Sequence, residues 1–168
     1  FGDLTANLLN GAGASSLTRS AFGGGTRDNS NATNVIEYIE SQSLGNAADF
    51  GDLTAARSYP FGDIAGSSTR GLFAGGQPDS NVIDYITIAT VGDAADFGNL
   101  TDTRAGTRCA SNSVRGVCMS GYKTFRSELN TIEFITIASA GDAADFGDLS
   151  GGRYGAQSGS DSHGGLTN

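Results

Sequence analysis

Short apolar stretches recur along the chain, and none has the three-to-four-residue period that marks an amphipathic helix. From 81 to 89, β-branched and aromatic side chains are separated by Asp84 and Thr87, which predicts a strand. A shorter apolar run at 70–74 ends at a pair of glycines, and a weaker strand is predicted at 107–111 before a polar turn. Together with a short strand carrying the string FGDL, these stretches predict an all-β fold.

The chain consists of repeats. The string FGDL, once as FGNL, occurs four times with its phenylalanines 47–49 residues apart, and the strings NVIEY, NVIDY and NTIEF recur in step with it. We divide the chain into three full repeats and one partial repeat, at 1–49, 50–96, 97–145 and 146–168. Four short strands with glycine at the corners are the content of one β-propeller blade.

The order of these strings resembles the kelch repeat: an apolar run, a double glycine, an aromatic strand, then a large aromatic, a leucine and an arginine. The matching residues of the first two repeats are Gly24, Gly25, Tyr38, Phe50, Arg57, Gly75, Gly76, Tyr85, Phe97 and Arg104. Phenylalanine replaces the kelch tryptophan, and the third repeat has Ser120–Gly121 instead of two glycines. The resemblance implies a propeller-like array of about three and a half four-stranded kelch-like blades in one domain.

In such a blade we expect the small-residue run 71–76 to form the innermost strand and the large aromatics, such as Phe22 and Phe73, to fill the wedge between blades. The structural repeat positions are Phe50, Phe97, Phe146, Tyr38, Tyr85, Phe134, Arg19, Arg70 and Arg115. For the arginines we expect an ion pair between blades; the alternative is an axial ring that binds an anion. Fewer than four blades do not close a ring, so we expect a piece of a longer protein, or closure by several copies.

Charge narrows the possible partners. Ten Lys and Arg against eighteen Asp and Glu give a formal net charge of −8, which argues against nucleic acid as a partner. No apolar run is long enough to predict membrane insertion.

The repeated aspartates are predicted to be structural. Those of the DFG strings, Asp49, Asp96 and Asp145, are expected to accept backbone N–H bonds in turns. We assign no cofactor and no metal, with calcium as the alternative because the acid spacing of 93–99 and 142–148 could serve oxygen ligands.

We also predict no enzymatic activity. The single histidine, His163, occupies a repeat position otherwise held by arginine, so a catalytic triad is not indicated. The glycine-rich stretch 22–26 lacks the G-K-[ST] ending of a nucleotide-binding loop. Cys109 and Cys118 flank a predicted turn, which leaves two alternatives open: buried free thiols or a disulfide.

The segments that differ most between repeats follow the double glycine, at 26–33, 77–80 and 122–129. The third contains a candidate recognition loop with two aromatic and two cationic side chains, Tyr122, Lys123, Phe125 and Arg126. Such a loop suits glycan or protein recognition, and the structural alternative is a tolerated loop insertion.

The sequence pattern N-V-I-D-Y-I-T-I-A-T, followed by G-D-A-A-D-F-G, resembles repeats of long virion proteins of marine cyanobacterial phages. This resemblance implies a virion structural or tail-fibre protein used for host-surface recognition or assembly. Its partners would be other virion proteins, copies of itself, or a host-surface glycan or protein. The alternatives are a secreted propeller-based enzyme, such as a lyase or glycosidase, and a bacterial extracellular or filament scaffold protein.

Overall fold

The computed structural model describes residues 2–28, 31–59, 67–123, 127–156 and 158. Within these ranges all regular structure is β-strand, which confirms the predicted all-β class. The strands form antiparallel sheets, and those of the described residues do not join into a closed ring. None of the described residues belongs to a helix that is long and apolar enough to cross a membrane.

The first repeat forms a four-stranded sheet, sheet 1, in the order β2-β3-β6-β7. Its strands are β2 (Ala12–Ser15), β3 (Arg19–Gly23), β6 (Val35–Glu40) and β7 (Ala48–Asp52). A small sheet of two-residue strands lies beside it, made of β1 (Leu8–Leu9), β4 (Thr26–Arg27) and β5 (Asn31–Ala32). The four strands of sheet 1 lie side by side in the order in which they occur along the chain, and each pair is antiparallel.

The second and third repeats form sheets of the same design. Sheet 2 has the strands β8 (Arg70–Ala74), β9 (Val82–Thr87) and β10 (Ala95–Asn99), and residues 60–66, which precede β8, lie outside the described residues. Sheet 3 has the strands β11 (Arg108–Ser111), β12 (Arg115–Met119), β14 (Ser127–Thr136) and β15 (Ala144–Arg153), with the short β13 (Tyr122–Lys123) also paired to β14.

The sheets do not begin and end at the repeat boundaries that the sequence predicts. The boundaries after 49, 96 and 145 fall within β7, β10 and β15, so each FGDL string completes the sheet that precedes it. The expectation of an innermost strand in the apolar run is wrong for sheets 1 and 3. There the apolar run is β3 or β12, which is paired on both sides because β2 or β11 takes the edge of the sheet.

The hydrophobic core lies between successive sheets. One cluster joins sheets 1 and 2 and contains Ala12, Ala14, Ala21, Ile36, Phe50, Leu53, Phe73, Ile86 and Ile88. The other joins sheets 2 and 3 and contains Leu72, Ala74, Ile83, Phe97, Leu100, Cys109, Cys118, Ile135 and Ile137. Successive residues of β8 and β9 point to opposite faces, so sheet 2 contributes to both clusters.

Small residues let sheets 1 and 2 approach closely near β2 and β8. A Cβ atom added to Gly71 would lie 2.4 Å from the Cβ of Ala14, and one added to Gly23 would lie 3.1 Å from the Phe73 ring. Larger side chains fill the rest of the interface: Phe73 is buried in this core, whereas Phe22 is half-buried and outside it.

Candidate functional site

The nine structural repeat positions come together as three equivalent clusters, each made of an arginine, an aromatic ring and a phenylalanine. The guanidinium carbons of Arg19, Arg70 and Arg115 lie 4.4, 4.7 and 4.5 Å from the centroids of Tyr38, Tyr85 and Phe134. The same rings meet Phe50, Phe97 and Phe146 edge to face, with centroids 5.8, 5.9 and 6.2 Å apart. Stacking between cation and ring, and between ring and ring, therefore stabilises each sheet in the same way.

Two of these arginines also contact the following sheet. Arg19 Nη1 donates to the Ile88 carbonyl at 3.0 Å, and Arg70 Nη1 donates to the Ile137 carbonyl at 2.9 Å. The carboxylate partner of Arg19 is Glu40, at 2.6 Å, which belongs to the same sheet. The contact between sheets is therefore a hydrogen bond to a backbone carbonyl, where we expected an ion pair.

Ion pairs between sheets exist at another repeat position. Arg57, which follows β7, pairs with Asp84 of sheet 2, and Arg104, which follows β10, pairs with Glu133 of sheet 3. All four side chains are buried. Burial lowers the pKa of both arginines, and the facing carboxylate opposes this shift; guanidinium remains charged in any case.

Each buried acid receives further hydrogen bonds from the turn that follows the last strand of the preceding sheet. The amide of Thr54 donates to Asp84 at 3.1 Å, and the amide of Thr101 donates to Glu133 at 2.6 Å. These bonds give each buried carboxylate a partner besides the guanidinium. An acid occurs at this position in each of the strings NVIEY, NVIDY and NTIEF. Its pairing with Arg57 or Arg104 was not predicted from the sequence.

In sheet 1 the buried acid also has a cationic partner, but a different residue supplies it. Leu8 occupies the repeat position of the inter-sheet arginines, and Glu37 is the corresponding acid. Arg27 supplies the cation instead, and Thr5 donates both its amide, at 3.2 Å, and its hydroxyl to Glu37. The buried acid thus has a cation and a threonine as partners in all three sheets.

Four of the repeated aspartates, Asp93, Asp96, Asp142 and Asp145, accept backbone hydrogen bonds. Asp96 Oδ1 accepts from the Gly98 amide, and Asp145 Oδ1 accepts from the Gly147 amide, both at 3.2 Å, as predicted for the DFG turns. Asp93 instead accepts a bond from Asp52 of the preceding sheet at 3.0 Å. Asp142 does the same for Asn99 at 2.9 Å. Among the described residues, no three His, Cys, Asp or Glu side chains form a group that could hold a metal ion.

The candidate recognition loop is described at Tyr122 and Lys123, while Phe125 and Arg126 lie outside the described residues. The Tyr122 ring meets the Tyr154 ring edge to face, with centroids 5.6 Å apart. Lys123 pairs with Asp102 on the surface. The hydrogen bond from Lys123 is the main reason why the pKa of Asp102 lies below its ordinary value.

Three neighbours of this loop were not predicted from the sequence: Gln77, Asp102 and Tyr154. Gln77 Nε2 donates to the Tyr122 hydroxyl at 3.1 Å, and Tyr154 is about half-exposed beside it. Gln77 and Tyr122 hold the same place in successive repeats, directly after a glycine. That equivalence is the sequence signal that could have revealed the cluster. We call Gln77, Asp102, Tyr122, Lys123 and Tyr154 the corner cluster.

The two cysteines form a disulfide. Cys109 of β11 lies directly opposite Cys118 of β12, with a Cα–Cα distance of 4.0 Å. Both are buried in the core between sheets 2 and 3. Of the two alternatives that the sequence left open, the structure therefore has the disulfide.

Comparison with known proteins adds no family to this description. No protein-family model matches the chain, and no curated protein is significantly similar to it.

Proposed function

We propose that the chain is a non-enzymatic, kelch-like propeller segment of a virion structural or tail-fibre protein, which presents corner loops for host-surface recognition or for assembly. Three sheets of one design, stacked through the same contacts, support a repetitive scaffold. Close packing of small residues between sheets 1 and 2 supports a wedge-like arrangement of blades.

The corner cluster is the observation that carries the recognition role. The backbone of this corner is the same in each repeat: the amides of Gly25, Gly76 and Gly121 donate to the carbonyl of the arginine that ends the following FGDL turn, at 2.9, 2.9 and 3.0 Å. The side chain after the glycine differs, however, being Thr26, Gln77 or Tyr122. A fixed backbone with a varied side chain is typical of a binding surface on a rigid scaffold.

The chemistry of the cluster fits a polar surface ligand. The Tyr122 and Tyr154 rings offer apolar faces with hydroxyl groups at their tips, and aromatic side chains of this type dominate binding hot spots. The Lys123–Asp102 pair supplies a cation and a carboxylate beside the rings. Together these groups suit a surface glycan or a polar protein surface, and other virion proteins or copies of this chain are the assembly partners.

Binding to a glycan array and to intact host-type cell surfaces tests the proposal. We expect wild-type chain to bind and the double variant Tyr122→Ala, Lys123→Ala to lose most of that binding. The matched control is Val114→Ala, an exposed side chain in the turn before β12, at the other end of that strand. Equal binding by the double variant and wild type would exclude the corner cluster, and no binding by wild type would exclude recognition altogether.

A further inference from the structure

Successive sheets are joined by the same backbone hydrogen bonds at both interfaces within the chain. Gly92 of sheet 2 donates its amide to the Phe50 carbonyl of sheet 1, and Gly141 of sheet 3 donates to the Phe97 carbonyl of sheet 2, both at 2.7 Å. A second bond, two residues further along each segment, is 2.8 Å long in both cases. Each FGDL strand therefore presents a defined docking edge to the sheet that follows.

The first sheet receives an equivalent edge from the N-terminal segment 2–5. The Ala47 amide donates to the Asp3 carbonyl at 2.9 Å, and the Asp3 amide donates to the Asn46 side chain at 3.0 Å. These bonds correspond to those that Asp52 makes with sheet 2. Residues 2–5 thus occupy, on sheet 1, the place that an FGDL edge occupies on sheets 2 and 3.

In the part of the chain that the structure describes, the edge of sheet 3 displays the same groups and no sheet follows it. Phe146 is 57% exposed, whereas its counterparts Phe50 and Phe97 are each 2% exposed. Arg153, at the position of the two inter-sheet arginines, makes its described hydrogen bonds to its near neighbours Ser150 and Gly151 and has no acid opposite it among the described residues.

Arg115 of sheet 3, like Arg153, lacks a contact that its counterparts in the preceding sheets make. Arg115 stacks on Phe134 as Arg19 and Arg70 stack on their rings. In the described part of the chain, its guanidinium lacks the bond to a following backbone carbonyl that Arg19 and Arg70 both make. An exposed aromatic residue and two outward cations therefore lie on one face of sheet 3.

We infer that this face of sheet 3 docks on sheet 1 of a second copy of the chain, where residues 147–150 take the place of residues 2–5. The two segments read GDLS and GDLT, so the incoming edge can make the backbone bonds that the resident edge gives up. Arg153 then lies beside Glu37 of the second copy, which Arg27 contacts within its own chain, as Arg57 and Arg104 lie beside Asp84 and Glu133. Phe146 becomes buried.

The exchange favours association because it buries the Phe146 ring, which is 57% exposed in the single chain. The repeat position of the inter-sheet arginine is Leu8 after the resident segment and Arg153 after the incoming one. The backbone bonds of the resident segment and its Thr5 contacts with Glu37 are exchanged for those of the incoming segment. Glu37 keeps its own cation Arg27, so the burial of the Phe146 ring supplies the gain. The contact is heterologous, so it builds head-to-tail chains or, if the rotation closes, a ring.

Sedimentation velocity of the full chain tests this inference over about a hundredfold range of protein concentration. We expect a concentration-dependent series of oligomers, and the variant Phe146→Asp, Arg153→Glu is expected to raise the dissociation constant at least about tenfold. The control Val91→Asp changes a half-exposed side chain of sheet 2, which contributes to neither end face. It is expected to associate like wild type.

Crosslinking identifies the contact itself. Asn99 and Asp142 meet at the interface of sheets 2 and 3, and the equivalent residues at the proposed contact are Asp148 of one copy and Asn46 of the other. An Asn46→Cys chain mixed with an isotopically heavier Asp148→Cys chain should form mixed disulfides in preference to disulfides within either variant.

A chain that stays monomeric throughout, or that forms only same-variant disulfides, overturns the inference.

Discussion

Arg104 follows the last strand of sheet 2 and forms an ion pair with Glu133 of sheet 3, and both side chains are fully removed from solvent. The guanidinium also donates to the Ser120 carbonyl at 3.3 Å. The pair therefore ties the turn after β10 to the middle of sheet 3, and Arg57 and Asp84 do the same one repeat earlier.

Removing one partner of this pair should destabilise the protein strongly. Arg104→Met or Glu133→Leu alone leaves an uncompensated buried charge, and we expect each to lower the free energy of unfolding by about 3–5 kcal/mol. The double variant should recover most of that loss, because two apolar side chains replace two paired charges. Urea-induced unfolding followed by circular dichroism measures both effects.

The exposed pair of Lys123 and Asp102 is the control for this experiment. Its removal by Lys123→Met should cost less than about 1 kcal/mol, since solvent screens it. Equal costs for the buried and the exposed pair would contradict the argument from burial.

Glycine is required at Gly98 for space as well as for backbone conformation. Its φ is 145°, and a Cβ atom there would lie 2.5 Å from the carbonyl carbon of Gly141 in the next sheet. Gly147 has a similar φ of 141°, but a Cβ atom there would meet nothing within 4 Å. The two positions therefore separate backbone strain from crowding.

We expect Gly147→Ala to cost about 1–3 kcal/mol from backbone strain alone. Gly98→Ala should cost about 1–3 kcal/mol more because it also overpacks the interface between sheets 2 and 3. Thermal and urea unfolding of the two variants, at a concentration where the chain is monomeric, gives the difference. Indistinguishable stabilities would mean that the sheets can separate slightly without cost.

The pKa of Asp102 should depend on Lys123. In the folded chain the hydrogen bond from Lys123 lowers this pKa, so the carboxylate stays charged under more acidic conditions than an unfolded chain allows. The resulting stabilisation is present above the unfolded pKa and is lost as the pH falls through the folded pKa. A carbon-detected NMR titration should show the Asp102 pKa rising in Lys123→Met, and an unchanged value would exclude the ion pair in solution.

Reduction of the disulfide should destabilise the edge of sheet 3. Cys109 and Cys118 are nine residues apart, and a loop of this size corresponds to about 2–3 kcal/mol in the chain-entropy treatment. We expect a lower unfolding midpoint in the presence of a phosphine reductant, with Cys109→Ala, Cys118→Ala matching the reduced protein. The double variant should not respond to the reductant, which controls for other effects of the reagent.

Local features of the fold could be predicted because they depend on neighbouring residues. The predicted strand at 81–89 contains β9, and the run at 70–74 coincides with β8, since alternation and β-branched side chains act over a few residues. The DFG turns could be predicted for the same reason: an aspartate that accepts the amide two residues later is a local bond.

The contacts between sheets could not be predicted in this way. Whether Arg57 reaches Asp84, or Gln77 reaches Tyr122, depends on how far one sheet is displaced from the next, and no local pattern encodes that displacement. The offset of the sheets from the repeats could not be predicted for the same reason. Each FGDL strand pairs with the strand that precedes it in the sequence, β6, β9 or β14, while the turn after it contacts the following sheet.

The recurrence of one interface between sheets also bears on how such a chain can change in length. Gly51 lies against Gly92, and Gly98 lies against Gly141, with the same backbone bonds beside them. A recombination event that adds or removes one whole repeat therefore leaves every remaining junction with its own complementary partner. Chain length can vary in steps of one sheet during evolution while each step preserves the fold of the rest.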